Sequence, residues 1–429
     1  MKALLEQRRI LVAGYGREGQ SAERLIRRLL PEAPLQVALQ VENGQWKTDS
    51  DEWRADWPFD LVVKSPGIPT FHLPSSAFRL TSLTDLFLQV YGDLTIGVTG
   101  TKGKSTTASL IHHLLPGSIL AGNIGIPLFD ILDELREDSL VVAELSCHQL
   151  EVLHRGPHIA VLLNLFQEHL DHYENYRGYK MAKMQIALKQ RKGDHFFYCT
   201  DNEELRALVE SGKWKVESCL HPYSLSDITD DERRLLDACP LYGDHNRSNA
   251  LVACRVASLA EPLDGERRTE NVLRHPALCS SLSTFHGLRH RLEKIGTFAG
   301  VTWYDDSIST IPAATMAAVQ SLGRVDTLVL GGFDRGIDYT PLADFLRDAP
   351  LRNVVFVGKA GKRIYEELSS SRFPFSILIE DDYTKLVPWC AAHTPQGGVV
   401  LLSPAAASYD AFRNFEHRGD FFREQIMKL

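Results

Sequence analysis

The residues of this chain best suited to chemistry run from Gly100 to Thr106, as Gly-Thr-Lys-Gly-Lys-Ser-Thr. Gly100 and Gly103 let the backbone approach anionic oxygens closely, and the N–H groups at a helix start point outward toward them. Lys104 would meet the β- and γ-phosphates of a nucleotide as a point charge, while Ser105 or Thr106 would offer a hydroxyl to a magnesium ion. This is the chemistry of ATP-phosphate binding, with Thr101 and Lys102 completing the loop. Val98 stands in the first glycine position of G-x-x-x-x-G-K-[ST], so the match to that pattern is partial.

Other polar groups follow apolar runs, as a site at strand ends requires. Leu140-Val-Val-Ala-Glu144 leads into Leu145-Ser-Cys-His-Gln149, and His158 to Asn164 leads into Gln167-Glu-His-Leu-Asp171. Glu144 is a hard oxygen donor suited to magnesium beside phosphate. His169 and His172 could suggest zinc, but there is no H-E-x-x-H and no third ligand is evident. Gly14-Tyr-Gly-Arg-Glu-Gly19 has the G-x-G-x-x-G form that seats a pyrophosphate at a helix N-terminus, a weak signal alone. Ser65-Pro66-Gly67 makes a rigid turn at another strand end. Asn246 and Asn249 sit three apart, either capping a helix from about Ala250 or recognising a base.

Elements can be placed around these groups. A strand at Arg9–Ala13 precedes the first glycine turn, and a helix follows with Ala22, Leu25, Ile26, Leu29 and Leu30 in register. A second strand is expected over Leu35–Val41, where a nicotinamide site wants a terminal acid; Glu42 fits only approximately. A third strand is expected over Asp60–Lys64. The phosphate loop lies between a strand at Leu94–Val98 and a helix bearing Ala108, Ile111 and Leu115. Residues 200–240 are polar and uninformative. Beyond Phe285, strands at Val301–Tyr304, Thr327–Leu330, Asn353–Val357 and Gly398–Leu402 alternate with helical stretches. Three of them end in special turns, at Asp305-Asp306-Ser307, Gly331 to Arg335 and Ser403 to Ser408. The pattern predicts an α/β protein of three domains: Rossmann-like 1–92, a P-loop-type ATPase domain with a mainly parallel sheet at 93–285, and a Rossmann-like C-terminal domain at 286–429.

Composition narrows the class. At 429 residues, 44% apolar and 24% charged, the chain can bury several cores and is not disordered. A net charge of −8 argues against nucleic acid or a membrane surface as partner. The seven scattered cysteines contain no C-x-x-C and predict reduced thiols. With no signal-peptide core and no 18-residue apolar stretch, a cytoplasmic protein is expected.

Taken together, GVTGTKGKSTT, AGNIGIPL, VAELSCHQLE, NLFQEHLDHY, FHGLRHRLE and LLSPAAASYDAFRNFEHRG resemble the Mur ligases, ATP-dependent amide-forming enzymes of peptidoglycan precursor synthesis. The resemblance covers nearly the whole chain, least over residues 200–240, and is greatest to the member that adds glutamate to UDP-N-acetylmuramoyl-L-alanine. It implies that Gly100 to Thr106 bind ATP, that Glu144 and His169 ligate magnesium (two ions in all), and that Lys183 is carbamylated by CO2 into a further metal ligand. It places Asn123, Ser146 and Gln149 at the muramoyl substrate, with Gly14, Gly16, Arg17, Glu18, Ser65, Pro66 and Gly67 in the UDP-binding domain. Asn246, Asn249, His290, Arg291 and Asp306 fall on the nucleotide, and Thr310, Arg335, Ser408 and Phe415 at the incoming amino acid. A monomer acting on small molecules is expected.

The chain departs from the resemblance at two positions. Ile308 replaces a lysine common after the strand, and Arg335 stands where lysine is frequent. Both bear on glutamate recognition, so D-glutamate and L-glutamate remain alternatives. Three rival readings are a nicotinamide oxidoreductase resting on Gly14 to Gly19, a regulatory nucleotide-binding protein, and a sister ligase such as a folylpolyglutamate synthase.

Overall fold

The computed structural model describes residues 1–42, 45–48, 53–54, 59–70, 73, 78–169, 172–173, 175–241, 243–260, 276–285, 287–368 and 374–429. The chain divides into two compact units. One comprises Met1–Cys239 and Asp244–Phe285, the other Pro240–Gly243 and His286–Leu429.

The first unit contains two parallel sheets. In the smaller, β1 (Ile10–Ala13), β2 (Leu35–Ala38), β6 (Leu61–Lys64) and β7 (Arg79–Ser82) are ordered β2-β1-β6-β7. Successive side chains point to opposite faces, so Ile10, Val12, Leu61 and Val63 share a core with Ala22, Leu25 and Ile26 of the helix Arg17–Leu29. On the other face Leu11, Ala13 and Val62 meet Val41, Trp46 and Phe59. Val41 and Trp46 belong to a three-stranded antiparallel sheet of β3 (Gln40–Glu42), β4 (Gln45–Lys47) and β5 (Trp53–Arg54). The single strand expected over Leu35–Val41 is therefore two. Pairing with β1 ends at Ala38, and Leu39 N–H turns instead to the Lys47 carbonyl at 2.8 Å.

The larger sheet holds β8 (Thr95–Thr99), β9 (Ile119–Gly122), β10 (Val141–Glu144), β11 (Ile159–Leu162), β12 (His195–Cys199) and β13 (Cys219–Tyr223). Its order is β13-β12-β11-β8-β10-β9, parallel throughout. Strands buried on both faces read as unbroken apolar runs, which made β8, β10 and β11 legible in the sequence. The unreadable stretch 200–240 holds the helix Glu203–Glu210, β13 and the helix Asp230–Asp237. From β8 the chain crosses beyond β10 to form β9, returns to β10, then crosses β8 to reach β11. The ordering reverses at β8, and the carboxyl ends of β8, β10 and β11 become the place where such sheets hold ligands.

In the second unit β14 (Glu293–Phe298) is antiparallel to β15 (Val301–Asp305). The rest of the sheet is parallel: β16 (Thr327–Gly331), β17 (Asn353–Val357), β18 (Ser376–Ile379) and β19 (Val399–Leu402), in the order β14-β15-β19-β16-β17-β18. Leu328, Leu330, Val354, Phe356 and Leu401 face one core, and Val329, Val355, Val357, Val400 and Leu402 the other. The chain is thus α/β with mainly parallel sheets, as its pattern predicts. Among the described residues no helix is long and apolar enough to cross a membrane, and no described cysteine is in a disulfide.

Candidate active site

β8 ends at Thr99, and the helix Lys104–Leu114 starts after four intervening residues. Gly103 caps that helix in the left-handed region at φ 86°, a conformation that glycine adopts without strain. A side chain there would also press on Asn249, whose Oδ1 lies 2.8 Å from the position a Cβ would take. The loop is held from outside by Asn164, whose Oδ1 accepts from Lys102 N–H at 2.9 Å and whose Nδ2 donates to the Lys102 carbonyl at 3.1 Å. Thr101 is buried, its hydroxyl 2.8 Å from the Tyr179 hydroxyl.

Two ammonium groups converge on one carbonyl of this loop. Lys104 Nζ donates to Gly100 O at 3.0 Å and to Thr101 O at 2.9 Å, and Lys183 Nζ donates to the same Gly100 O at 2.8 Å. Lys183 comes from the helix Tyr176–Leu188, is 1% exposed, and lies over the Tyr179 ring. Burial, reinforced by the neighbouring Lys104 charge, pushes its pKa down to about 7.

Glu144 closes β10 and is 1% exposed. Its Oε1 accepts from Asn123 Nδ2 at 2.7 Å, and its Oε2 is buried without a hydrogen-bond partner. An orphaned carboxylate oxygen beside a phosphate loop suits a hard cation. His169 lies in the loop following β11 with φ 57°, unusual for a non-glycine residue. The Nε2 of His172 lies 2.6 Å from Glu151 Oε1.

A cavity of about 410 Å³ is lined by Gly14, Gly16, Arg17, Glu18, Ser65, Pro66, Gly67 and Asn123, among others. Ser65 Oγ donates to the Gly14 carbonyl at 2.7 Å, and a Cβ on Gly19 would come within 2.1 Å of that carbonyl oxygen. Gly16 faces open space. The carboxylate of Glu18 accepts from Gln149 Nε2 at 2.5 Å through Oε1, while its Oε2 is buried and unpartnered. Burial raises the Glu18 pKa to about 7, against the pull of Gln149 and of the Lys64 charge. Lys64, at the end of β6, forms a buried ion pair with Glu151 at 2.9 Å.

Ser146 and Gln149 form a capping box on the short helix Cys147–Leu150, in which Gln149 Oε1 accepts from Ser146 N–H while its Nε2 donates to Glu18. The helix bearing Asn246 and Asn249 begins at Asp244, not near Ala250, so both lie in its first turns. There Asn249 Nδ2 is 3.4 Å from Asn246 Oδ1. Glu42 is exposed on β3, and Leu39 follows the end of β2, so the carboxylate of a nicotinamide site is missing from that strand end.

In the second unit the strand-end loops carry the remaining candidates. Asp306 is buried, accepting from Ser403 Oγ at 2.7 Å and from Leu292 N–H at 3.1 Å. Burial lifts its pKa to about 6. His290 holds Asp305 at 2.7 Å, and Arg291 has a buried Nε without a partner. Arg335 donates to the Thr310 carbonyl at 2.7 Å. Ser408 is buried behind β19, and Phe415 begins the helix Phe415–Ile426, its carbonyl accepting from Ser307 Oγ at 2.8 Å. The structure therefore brings together Thr310 with Arg335, and Phe415 with the loop of Asp306.

The Mur ligase middle domain matches residues 98–257. A UDP-N-acetylmuramoyl-L-alanine–L-glutamate ligase of Salinispora tropica is 35% identical over 86% of this chain and 83% of its own. The chain belongs to the Mur ligase family. A UDP-N-acetylmuramoylalanine–D-glutamate ligase of Symbiobacterium thermophilum is 31% identical over 95% of this Mur ligase and 91% of its own length. Among solved structures, MurF from Acinetobacter baumannii shares the fold at TM-score 0.58 and 19% identity, over 83% of this chain and 84% of that one.

Sequence alone marks Asn164 and Lys64 only as strand ends and gives Glu151 no functional signal, though Asn164 holds the phosphate loop and Lys64 pairs with Glu151. The Gln149–Ser146 capping box was readable as S-x-x-Q.

Proposed function

We propose that this Mur ligase joins D-glutamate to UDP-N-acetylmuramoyl-L-alanine, consuming ATP and releasing ADP and phosphate, in peptidoglycan precursor synthesis. The observation that carries the reading is the convergence of Lys104 and Lys183 on Gly100 O, beside the unpartnered Glu144 oxygen. A carboxylate resists attack by an amine until one of its oxygens becomes a leaving group. Transfer of the ATP γ-phosphoryl group to the muramoyl-alanine carboxylate makes an acyl phosphate. The glutamate amine attacks its carbonyl, the C–O bond to phosphate breaks, and the amide forms as the amine proton is lost.

Lys104 and the loop N–H groups stabilise the phosphates and the charge that develops on them. Magnesium, when bound, neutralises further phosphate charge; Ser105 or Thr106, Glu144, His169 and a carbamylated Lys183 would hold it. Carbamylation replaces one of two crowded cations by an anion, which turns their repulsion into attraction. Gly14 to Glu18, Ser65 to Gly67 and Asn123 would seat the UDP-substrate in the cavity they line. Asn246, Asn249, Arg291 and Asp306 would serve the nucleotide, and Thr310, Arg335, Ser408 and Phe415 the amino acid. Residues 1–92, 93–285 and 286–429 are taken as the three functional domains, in a cytoplasmic monomer.

A second reading, addition of L-glutamate, is favoured by the Salinispora tropica relative and by Ile308 and Arg335 near the amino-acid residues. Mass spectrometry of the product from ATP, magnesium, UDP-N-acetylmuramoyl-L-alanine and either enantiomer tests both. A nucleotide dipeptide from D-glutamate supports the first reading and one from L-glutamate the second. No amide product with either would refute the ligase reading.

A further inference from the structure

Arg418 lies within the helix Phe415–Ile426, is 1% exposed, and carries its charge into the interior without a carboxylate in ion-pair range among the described residues. Every bond it makes goes to a neutral oxygen. Nε donates to Ser307 Oγ at 2.9 Å, and one terminal nitrogen donates to Ser307 O at 2.9 Å and Ala406 O at 3.0 Å. The other donates to Ala407 O at 3.1 Å. A Cβ on Gly332 would lie 3.0 Å from that same nitrogen and 2.4 Å from Ala407 O, so the third loop passes the clasp with no room for a side chain. Burying a guanidinium is costly unless its donors are met; burial pulls its pKa down to about 10, against the more distant pull of Tyr383, Asp410 and Asp305.

These contacts have a pattern. β15, β19 and β16 are neighbours in the sheet, and Ser307, Ala406–Ala407 and Gly332 lie in the loops that leave their carboxyl ends. The same loops carry Thr310, Ser408 and Arg335, and Ala405, just before the clasped carbonyls, has φ 56°, a strained value for alanine. We propose that Arg418 is a positioning residue: its planar fork fixes the Ser307 and Ala406–Ala407 loops directly, and the Gly332 loop through Ala407 O, which also accepts from Phe333 N–H at 2.9 Å, at the spacing an amino-acid substrate needs and without touching that substrate. A fork with five fixed donors can hold several carbonyls at set angles, which a lysine cannot do. The proposal rests on the ligase reading for the identity of the substrate.

The test is Arg418→Lys and Arg418→Ala, assayed with whichever glutamate enantiomer the wild-type protein uses. The KM for glutamate rises at least tenfold while the KM for ATP stays within twofold, and guanidinium ion at millimolar concentration restores part of the loss in Arg418→Ala only. A glutamate KM equal to wild type in folded Arg418→Lys overturns the proposal. If both variants fail to fold, Ser307→Ala, which removes one acceptor of the clasp, is predicted to raise the glutamate KM three- to tenfold, and no rise overturns it. Hydrogen exchange separates this from failure of the ligase reading. In Arg418→Lys, or in Ser307→Ala should that variant not fold, amides of residues 306–311, 331–336 and 403–409 exchange faster together, whatever the wild type turns over. Acceleration confined to the helix Phe415–Ile426 contradicts the clasp.

Discussion

Lys183 Nζ lies 2.8 Å from the carbonyl oxygen of Gly100, the oxygen that Lys104 also contacts, so the phosphate loop is pinned by a helix almost eighty residues downstream. That helix, Tyr176–Leu188, buries Tyr179, Ala182, Met184, Ile186 and Ala187 in the core, and Lys183 beside them is 1% exposed. If the buried amine takes up CO2, ¹³C-bicarbonate gives a carbamate carbon resonance in the wild-type protein that is absent from Lys183→Gln. Identical spectra would remove the carbamate from the account.

Lys104→Ala deletes the loop cation whose ammonium lies on the Gly100 and Thr101 carbonyls. Turnover is expected to fall by about 10²–10³-fold, the usual loss for one preorganised electrostatic group. The melting temperature should hardly change, because Lys104 is only half-buried and bonds two carbonyls of its own loop. Near-normal turnover would remove the ATP site from this loop.

Glu144→Gln keeps the shape and an acceptor for Asn123 while removing the charge. The magnesium concentration for half-maximal rate is expected to rise at least about tenfold, as for other changes at metal-site carboxylates. An unchanged magnesium titration would mean that the orphaned oxygen serves another purpose.

Glu18 gives stability a pH dependence of definite sign. Its folded pKa of about 7 lies above the usual carboxylate value, so between pH 4.5 and 7 the folded chain binds the proton more tightly than the unfolded one. This contribution is present at and below pH 4.5, is lost as pH rises toward 7, and changes no further above it. Glu18→Gln should therefore be more stable than wild type at pH 8 and not at pH 4, read from denaturant midpoints. A gain of equal size at both pH values would contradict the assignment.

Lys64 and Glu151 are both largely buried, so removing one partner leaves a charge without solvent. Lys64→Met is expected to cost about 3–5 kcal/mol, and the double change with Glu151→Leu to recover part of it. Full additivity in chemical denaturation would show the pair to be uncoupled.

The legibility of this site in the sequence follows from how local each part is. The phosphate loop and Glu144 were readable because a strand, its polar terminus and the following turn are contiguous. Lys183 was not, since a lysine in Tyr-Lys-Met-Ala-Lys looks solvent-facing until its helix crosses β8; only resemblance pointed to it. Arg418 stands in the sequence among Glu416, His417 and Asp420, a polar run typical of a solvated helix face. Its spacing of four from Phe422 and eight from Ile426, both buried, was the signal that it lies on the inner face. The break at Leu39 was hidden because alternation in sequence does not say with which sheet a strand pairs.

The central claim is tested most directly by phosphate release from ATP and magnesium, with UDP-N-acetylmuramoyl-L-alanine and D-glutamate or L-glutamate supplied separately. The account predicts release that requires the muramoyl substrate together with D-glutamate and falls to background when either is omitted. Release with L-glutamate alone would keep the ligase and point to Ile308 and Arg335 as the residues that reversed its stereochemical choice. Absence of release with both would contradict the account.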